Sequence, residues 1–473
     1  MSARPLWLGG EWRRTGGALR VVNPADGQPL AEVCTVTRAE VAQAIEAAHA
    51  ALPAWRALSG KARGEYLRKI AGELERRGEE IARTITLENG KPLAQSAGEV
   101  AMSVDHLRWF AEEARRVYGR VVPHQAEGKR HLVIKTPVGV VAAISPWNFP
   151  LALAVRKVAP ALAAGCPVLL KPASATPLCA LALAECVEKA GLPASVFQVM
   201  VGRAAEIAAE FLEHPLCRKI SFTGSTEVGR LLVQGAAGGL KPLSLELGGH
   251  APVLVFSDAD LARAVEGAAV AKFRNTGQSC IAAGRIYVQR GRYQEFLERF
   301  TAHVKTMKVG DGLEPGVVVG PLINEEGLNH ALAHIDDAVK RGARLVCGGR
   351  RLERKGWFLE PTVLADAPDN ALCMVEETFA PVAPVCAFDT EEEAIARANA
   401  SRYGLSAYVF TSDLSRTFRV MERLEAGTIG INDPVPTTSQ CPFGGFKQSG
   451  WGRELGIEGL DAFVETKHVS IAL

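Results

Sequence analysis

The sequence predicts an α/β protein with two blocks of parallel sheet, and three features of its pattern lead there. Short apolar runs alternate with amphipathic stretches from residue 138 onward, a second such block opens near Ala251, and a long helical stretch precedes both. In the first stretch, residues 37–118, Ala, Glu, Arg and Leu dominate, with apolar residues three and four apart, the period of a helix. Residues 119–137 are polar and strand-like. Residues 138–145, 167–170, 196–200 and 219–222 are short apolar strands, each followed by a helical segment, the one after 167–170 starting near Thr176. In the second block, strands are expected at 253–256, 286–289 and 344–347. The Gly-rich tail reads as irregular until 462–473, a strand that could pair with 119–137 as an oligomerisation arm.

Composition narrows the function classes. Of 473 residues, 48% are hydrophobic and 22% charged, which allows a large core and argues against disorder. A net charge of +2 lacks the basic stripes of a nucleic-acid binder. The ten cysteines are scattered, with no CxxC pair, so neither a zinc cluster nor thioredoxin-like chemistry is expected, and no metal site. Such thiols fit a reducing cytosol. No apolar run reaches membrane-spanning length, because Pro146, Asn148 and Pro150 break the best candidate, and no secretory signal is evident. The expectation is a cytoplasmic protein with neither a nucleic-acid nor a membrane partner.

No G-x-G-x-x-G fingerprint or Walker A loop occurs, so a nucleotide site needs other devices. Phe222-Thr223-Gly224-Ser225-Thr226 offers a strand, a glycine and hydroxyls at a helix start, where free N–H groups and the helix dipole attract phosphate. An ordinary capped strand–turn–helix has the same pattern. Lys171-Pro172-Ala173-Ser174 puts a lysine at a strand's carboxyl end, where α/β sheets bind ligands, although a surface lysine in a loop reads alike. Glu246-Leu247-Gly248-Gly249 and Gly277-Gln278-Ser279-Cys280 each set a reactive side chain beside glycines, one a candidate base and the other a candidate nucleophile. A lone cysteine also often serves as core filling.

Together with Pro146-Trp147-Asn148-Phe149-Pro150, Glu377-Thr378-Phe379 and Pro442-Phe443-Gly444-Gly445, these motifs stand in the order found in aldehyde dehydrogenases, and the chain resembles that family over its whole length. The resemblance implies the aldehyde dehydrogenase fold: a Rossmann-like cofactor domain (1–118 and 138–246), an α/β catalytic domain (247–432), and a β oligomerisation arm with the C-terminal segment (119–137 and 433–473). It implies a homodimer or homotetramer. By motif, Cys280 is the nucleophile, Glu246 the general base and Asn148 an oxyanion-hole donor. Lys171 would bind the adenosine ribose, Ser225 the pyrophosphate and Glu377 the nicotinamide ribose. Phe379 would position the ring, and Trp147, Asn148, Pro172, Ala173, Gly224 and Leu247 complete the cofactor wall. Relatives often carry Glu where this chain has Ser174. The serine removes a carboxylate that would repel a 2′-phosphate, so NADP is favoured over NAD.

Two arginines bear on the aldehyde. Arg156 follows Asn148 by two helical turns, and Arg274 precedes Cys280 by less than two. Both stretches resemble the succinate semialdehyde branch of the family, whose matching arginines hold the substrate's far carboxylate. A guanidinium fork suits that group. Thr437 and Thr438 could add a hydroxyl, with Thr438 taken as the substrate contact. Otherwise Arg274 complements a helix C-terminus and Arg156 pairs with a surface acid. Glutarate, 2-oxoglutarate and sulfonated semialdehydes, or a broad range of aldehydes, are alternative substrates. A non-enzymatic structural or ligand-binding relative is the reading from a different class, and the joint presence of Asn148, Glu246 and Cys280 argues against it.

Overall fold

The computed structural model describes residues 2–473. Its first sheet has six strands in the spatial order Gly450–Trp451, Leu243–Glu246, Cys217–Thr223, Val140–Ile144, Val168–Lys171, Phe197–Val199. All are parallel except Gly450–Trp451. Strands Val140–Ile144 and Val168–Lys171 are buried at every position, which is why they read as unbroken apolar runs. The chain starts at Val140–Ile144, builds outward to Phe197–Val199, then returns to lay Cys217–Thr223 on the other side. That reversal opens a crevice at the carboxyl ends of the two central strands, where doubly wound sheets bind ligands.

The second sheet has seven strands in the order Arg344–Cys347, Thr362–Ala365, Val382–Phe388, Ala283–Gln289, Ala251–Val255, Ser406–Phe410, Thr428–Ile431, parallel but for the first. Residues 247–250 alone join Leu243–Glu246 to Ala251–Val255, so the carboxyl edge of one sheet confronts the amino edge of the other. Helices Arg38–Ala57, Gly60–Arg76, Gly78–Asn89 and Leu93–Glu113 fill the expected 37–118 stretch. The first starts at a capping box between Thr37 and Glu40. Arg120–Val122, Lys129–Pro137 and Val464–Ala472 form a separate three-stranded sheet, paired from Val464↔Pro137 to Ala472↔Lys129. Among the described residues, no helix is long and apolar enough to cross a membrane.

Some expectations change. The N-terminal segment, unread in the sequence, forms two hairpins, Leu6–Leu8 with Glu11–Arg13 and Gly17–Val22 with Pro29–Thr35. The helix expected near Thr176 begins at Leu178. Strands Thr362–Ala365, Val382–Phe388, Ser406–Phe410 and Thr428–Ile431 were not anticipated; Pro384 inside Val382–Phe388 works against a strand signal. The tail is less irregular than its glycines imply, and of 433–473 only Val464–Ala472 joins the arm. Gly450–Trp451 returns to the first sheet beside Leu243–Glu246. Gly450 allows this with φ +117, where a Cβ would lie 1.9 Å from the Leu245 carbonyl oxygen.

Candidate active site

Cys280 sits on a loop that the sequence holds under constraint. Helix Leu261–Phe273 ends at Arg274, and Asn275 and Thr276 then take left-handed conformations (φ +50 and +60) ahead of Gly277. Consecutive non-glycine residues there are strained and persist only where their surroundings over-determine them. Those surroundings are visible. Thr276 Oγ1 bonds both the carbonyl and the N–H of Gly320, and Gln278 Oε1 accepts from Ile323 N at 2.9 Å. Asn275 Nδ2 donates to the carbonyl oxygens of Asn148 and Gln278 at 2.8 and 3.0 Å. The Cys280 loop and the Asn148 loop are thereby locked together.

The Asn148 loop has its own anchor. Lys91 and Glu99, both fully buried, pair at 2.6 Å. Lys91 Nζ donates to the Asn148 carbonyl at 2.7 Å, while Glu99 Oε1 accepts from the N–H groups of Leu151 and Ala152, at the start of helix Ala152–Ala164. Asn148 is buried, its Nδ2 donating to the Gln278 carbonyl at 3.2 Å. Its second amide hydrogen is left for another acceptor.

Two cavities meet at Cys280, the one residue that borders both. The first, about 220 Å³, lies in the crevice of the six-stranded sheet and includes Trp147, Asn148, Gly224, Ser225, Leu247 and Glu377. Phe379, at φ +50, also borders it and meets Trp147 edge-on, with ring centroids 5.4 Å apart. Ser225 caps helix Thr226–Ala237 by accepting from Val228 N. Glu377 accepts from Gly249 N at 3.0 Å, and burial raises its carboxyl to about 8. A Cβ at Gly248 would lie 2.7 Å from Glu377 Oε2, so glycine keeps this wall open. Pro172, Ala173 and Ser174 follow the adjacent strand end, whose last residue Lys171 accepts from Ser145 N through its carbonyl oxygen at 3.1 Å. Burial lowers the Lys171 amine to about 8. These four residues stand outside the wall nearest Cys280, farther along the same sheet edge.

The second cavity is narrow and mostly apolar, with Phe149, Leu153, Ile281 and Phe443 among its walls. It also holds Arg156 and Arg274. Neither guanidinium lies within salt-bridge distance of any carboxylate among the described residues. Arg156 lies over the Phe443 ring at 4.9 Å and Arg274 over Phe149 at 5.2 Å. Burial lowers both, opposed from beyond contact distance by Glu454, Glu246 and Glu99 at Arg156 and by Glu99 at Arg274. Arg274 does cap a helix C-terminus, but Arg156 is buried without the surface acid that the alternative required. Thr437, not Thr438, borders this cavity; the Thr438 hydroxyl turns to Gln440 Oε1 at 2.6 Å.

Burial pushes the Cys280 thiol up to about 12, with Glu377 and Glu246 adding to the rise and Arg156 opposing it. Glu246 ends its strand buried, and its Oε2 has no partner. Burial and then Glu454 raise its carboxyl, against Lys157 and Arg156. It borders neither cavity; its Oε1 lies toward Gly444. Lys157 donates to Glu454 and, at 2.6 Å, to Thr223 Oγ1. Sequence reasoning missed Lys157, Thr223 and Glu454. A charged pair, Arg156-Lys157, inside an otherwise apolar helix was a usable signal for Lys157. Glu454 in the Gly-rich tail offered none.

Known proteins share this fold and sequence. Residues 12–469 match the aldehyde dehydrogenase family. The chain is 50% identical to succinate-semialdehyde dehydrogenase [NADP(+)] GabD of Escherichia coli (strain K12), over 98% of this chain and 97% of that one. It is 48% identical to a glutarate-semialdehyde dehydrogenase of Pseudomonas aeruginosa, over 98% and 97%. The crystal structure of an aldehyde dehydrogenase from Brucella melitensis biovar abortus superposes with a TM-score of 0.98 at 49% identity, covering 99% of this chain and 97% of that one. With a partly buried cysteine set where two cavities meet, and the match running through nearly its whole length, this chain belongs to the aldehyde dehydrogenase family.

Proposed function

We propose that the protein oxidises an anionic semialdehyde, succinate semialdehyde first, to the dicarboxylic acid, with Cys280 as nucleophile and NADP preferred over NAD. The observation that carries this reading is the pair of arginines without a contacting carboxylate in the cavity that ends at Cys280. A buried and a partly buried cation with no carboxylate in contact are costly unless something anionic arrives to pair with them. A carboxylate at the substrate's tail does so while its aldehyde reaches the sulfur.

The residues then act in sequence. Cys280 releases its proton to solvent and its sulfur bonds the aldehyde carbon; the carbonyl electron pair moves to oxygen, giving a thiohemiacetal oxyanion. The free Asn148 amide hydrogen and the Cys280 backbone N–H receive that charge, each such donor typically contributing about 10²–10³ in rate. A bound nicotinamide dinucleotide supplies the hydride acceptor that turns the thiohemiacetal into a thioester. Glu246, rotated from the Lys157–Glu454 cluster toward Cys280, takes a proton from water as its oxygen bonds the thioester carbon. The C–S bond breaks, releasing the acid and restoring the thiol.

The first cavity suits the nicotinamide end of the cofactor. Glu377 offers a carboxylate oxygen to ribose hydroxyls, Ser225 and the adjacent helix start face a pyrophosphate, and Phe379 and Trp147 flank a ring. Lys171 and Ser174 present positive charge and a hydroxyl to the 2′-phosphate of NADP, with no carboxylate at 174 to repel it. We also read the three-stranded arm, with its exposed Val121, as the means by which copies associate into a dimer or tetramer. The ten free cysteines agree with a reducing cytoplasm. Steady-state assays of succinate semialdehyde, glutarate semialdehyde and butanal with both dinucleotides test the substrate reading. A kcat/KM for butanal equal to that for succinate semialdehyde would contradict it.

A further inference from the structure

We propose that His106, Ser439 and Asp105 form a positioning relay that aims the Arg156 guanidinium at the substrate's carboxylate while placing no carboxylate in contact with it. The proposal rests on the anionic-aldehyde reading above. The relay is built from hydrogen bonds whose directions the chemistry settles. Ser439 has one hydroxyl proton, and it goes to the exposed carboxylate of Asp105, which can only accept. His106 Nδ1, 2.7 Å from Ser439 Oγ, must therefore carry the hydrogen and donate it. The other ring nitrogen, Nε2, then keeps its lone pair and accepts from Arg156 Nε at 3.3 Å. All three bonds run one way, from guanidinium to surface acid.

What the relay omits matters as much. Arg156 and His106 are buried, 6% and 1% exposed, and a buried arginine is ordinarily met by a carboxylate. A carboxylate at the His106 position would neutralise Arg156 and compete with the substrate for it. A neutral imidazole fixes one edge of the guanidinium and leaves the charge available. Burial and the neighbouring Arg156 both hold His106 well below its ordinary range, which keeps the ring neutral. The relay's only anion stands three hydrogen bonds from the guanidinium, on the exposed Asp105, where solvent screens it. Phe443 supports the guanidinium plane, and its terminal nitrogens make no bond to protein, so they remain for the ligand in the cavity they border. Arg274 has no comparable partner, only the Phe149 ring. The two arginines thus divide the task, Arg156 as the oriented donor and Arg274 as the adjustable one.

The test is a split between substrates. His106→Phe removes the Nε2 acceptor at similar size, and His106→Gln keeps an acceptor on a shorter polar chain. For His106→Phe, the KM for succinate semialdehyde should rise roughly tenfold, with kcat little changed and kcat/KM for butanal within about twofold of wild type. His106→Gln should recover most of that loss. Equal losses on both aldehydes, no change in the KM for succinate semialdehyde, or a glutamine variant no better than the phenylalanine one would overturn the relay. Should His106→Phe fail to fold, Ser439→Ala decides, because it strips the partner that holds the imidazole tautomer. It should raise the KM for succinate semialdehyde about threefold and spare butanal, and an unchanged KM would overturn the proposal. Wild type supplies the separate check. A wild-type enzyme indifferent between the two aldehydes defeats the anionic reading itself, whereas a selective wild type with a selective His106→Phe defeats the relay alone.

Discussion

The two cavities that meet at Cys280 are built by different means. The one toward the six-stranded sheet is made of turns: Gly224, Leu247 and Gly248 each follow a strand end, and its one ionisable side chain besides Cys280 is Glu377. The one toward the arginines is made of side chains from separate parts of the chain, helix Leu93–Glu113, helix Ala152–Ala164, the Cys280 loop and the tail. Backbone geometry shapes the first, so it suits a ligand whose recognised parts are phosphates and ribose hydroxyls. Side-chain charge shapes the second, so it suits a ligand defined by one anionic end. Chemistry shared by both sides should depend on Cys280, and selectivity should divide cleanly between them.

The largest effect should come from the shared residue. Cys280→Ala should lower turnover of every aldehyde by roughly 10⁴-fold or more while NADP binding, followed by cofactor fluorescence, stays near wild type. Comparable loss of NADP binding would mean the cavities are not separable. On the side-chain face, Arg156→Leu or Arg274→Leu should lower kcat/KM for succinate semialdehyde roughly ten- to a hundredfold, reflecting ~1.5–3 kcal/mol per charged hydrogen bond, and leave butanal nearly unaffected. The double variant should lose less than the sum, because both grip one carboxylate. On the backbone face, Ser174→Glu should weaken NADP by ~10-fold and NAD much less, through like-charge repulsion of the 2′-phosphate. Equal effects on the two dinucleotides would place residue 174 away from the ribose. A smaller but sharper test follows from the thiol itself. With Cys280 pushed up to about 12, its thiolate fraction grows throughout the neutral and mildly alkaline range. Alkylation of Cys280 by iodoacetamide in the cofactor-free protein, read by peptide mass, should rise about tenfold per pH unit from pH 7 to 9. A plateau in that interval would mean that a neighbouring cation outweighs burial.

The same contrast explains what could be read from the sequence. The turn motifs were legible because a strand end, a glycine and a cap are local signals, and the first sheet's strands are short unbroken apolar runs. The seven-stranded sheet was read less fully, because strands such as Val382–Phe388 carry a proline and Thr362–Ala365 is short. The arginines were legible from their spacing to Asn148 and Cys280 and from their resemblance to the succinate semialdehyde branch, but their lack of a contacting acid was a matter of three-dimensional packing. Lys157, Glu454, His106 and Ser439 come together only in the fold, from positions with no spacing rule to link them. Thr437 and Thr438 show the limit at finest grain, since neighbours in an irregular segment point different ways and only one borders the cavity. The tail was misjudged because its glycines, which resemble loop punctuation, serve at Gly450 to let a strand approach Leu245.

The central claim is that one sulfur, placed between the two cavities, carries the substrate through oxidation. Its most direct test is intact-protein and peptide mass spectrometry of Glu246→Gln mixed with succinate semialdehyde and NADP. Without a general base, the thioester should outlive its formation, so one equivalent of NADPH should appear in a burst and a succinyl group should be found on the peptide containing Cys280. Steady turnover at the wild-type rate, or a burst with no acyl group on Cys280, would contradict the account.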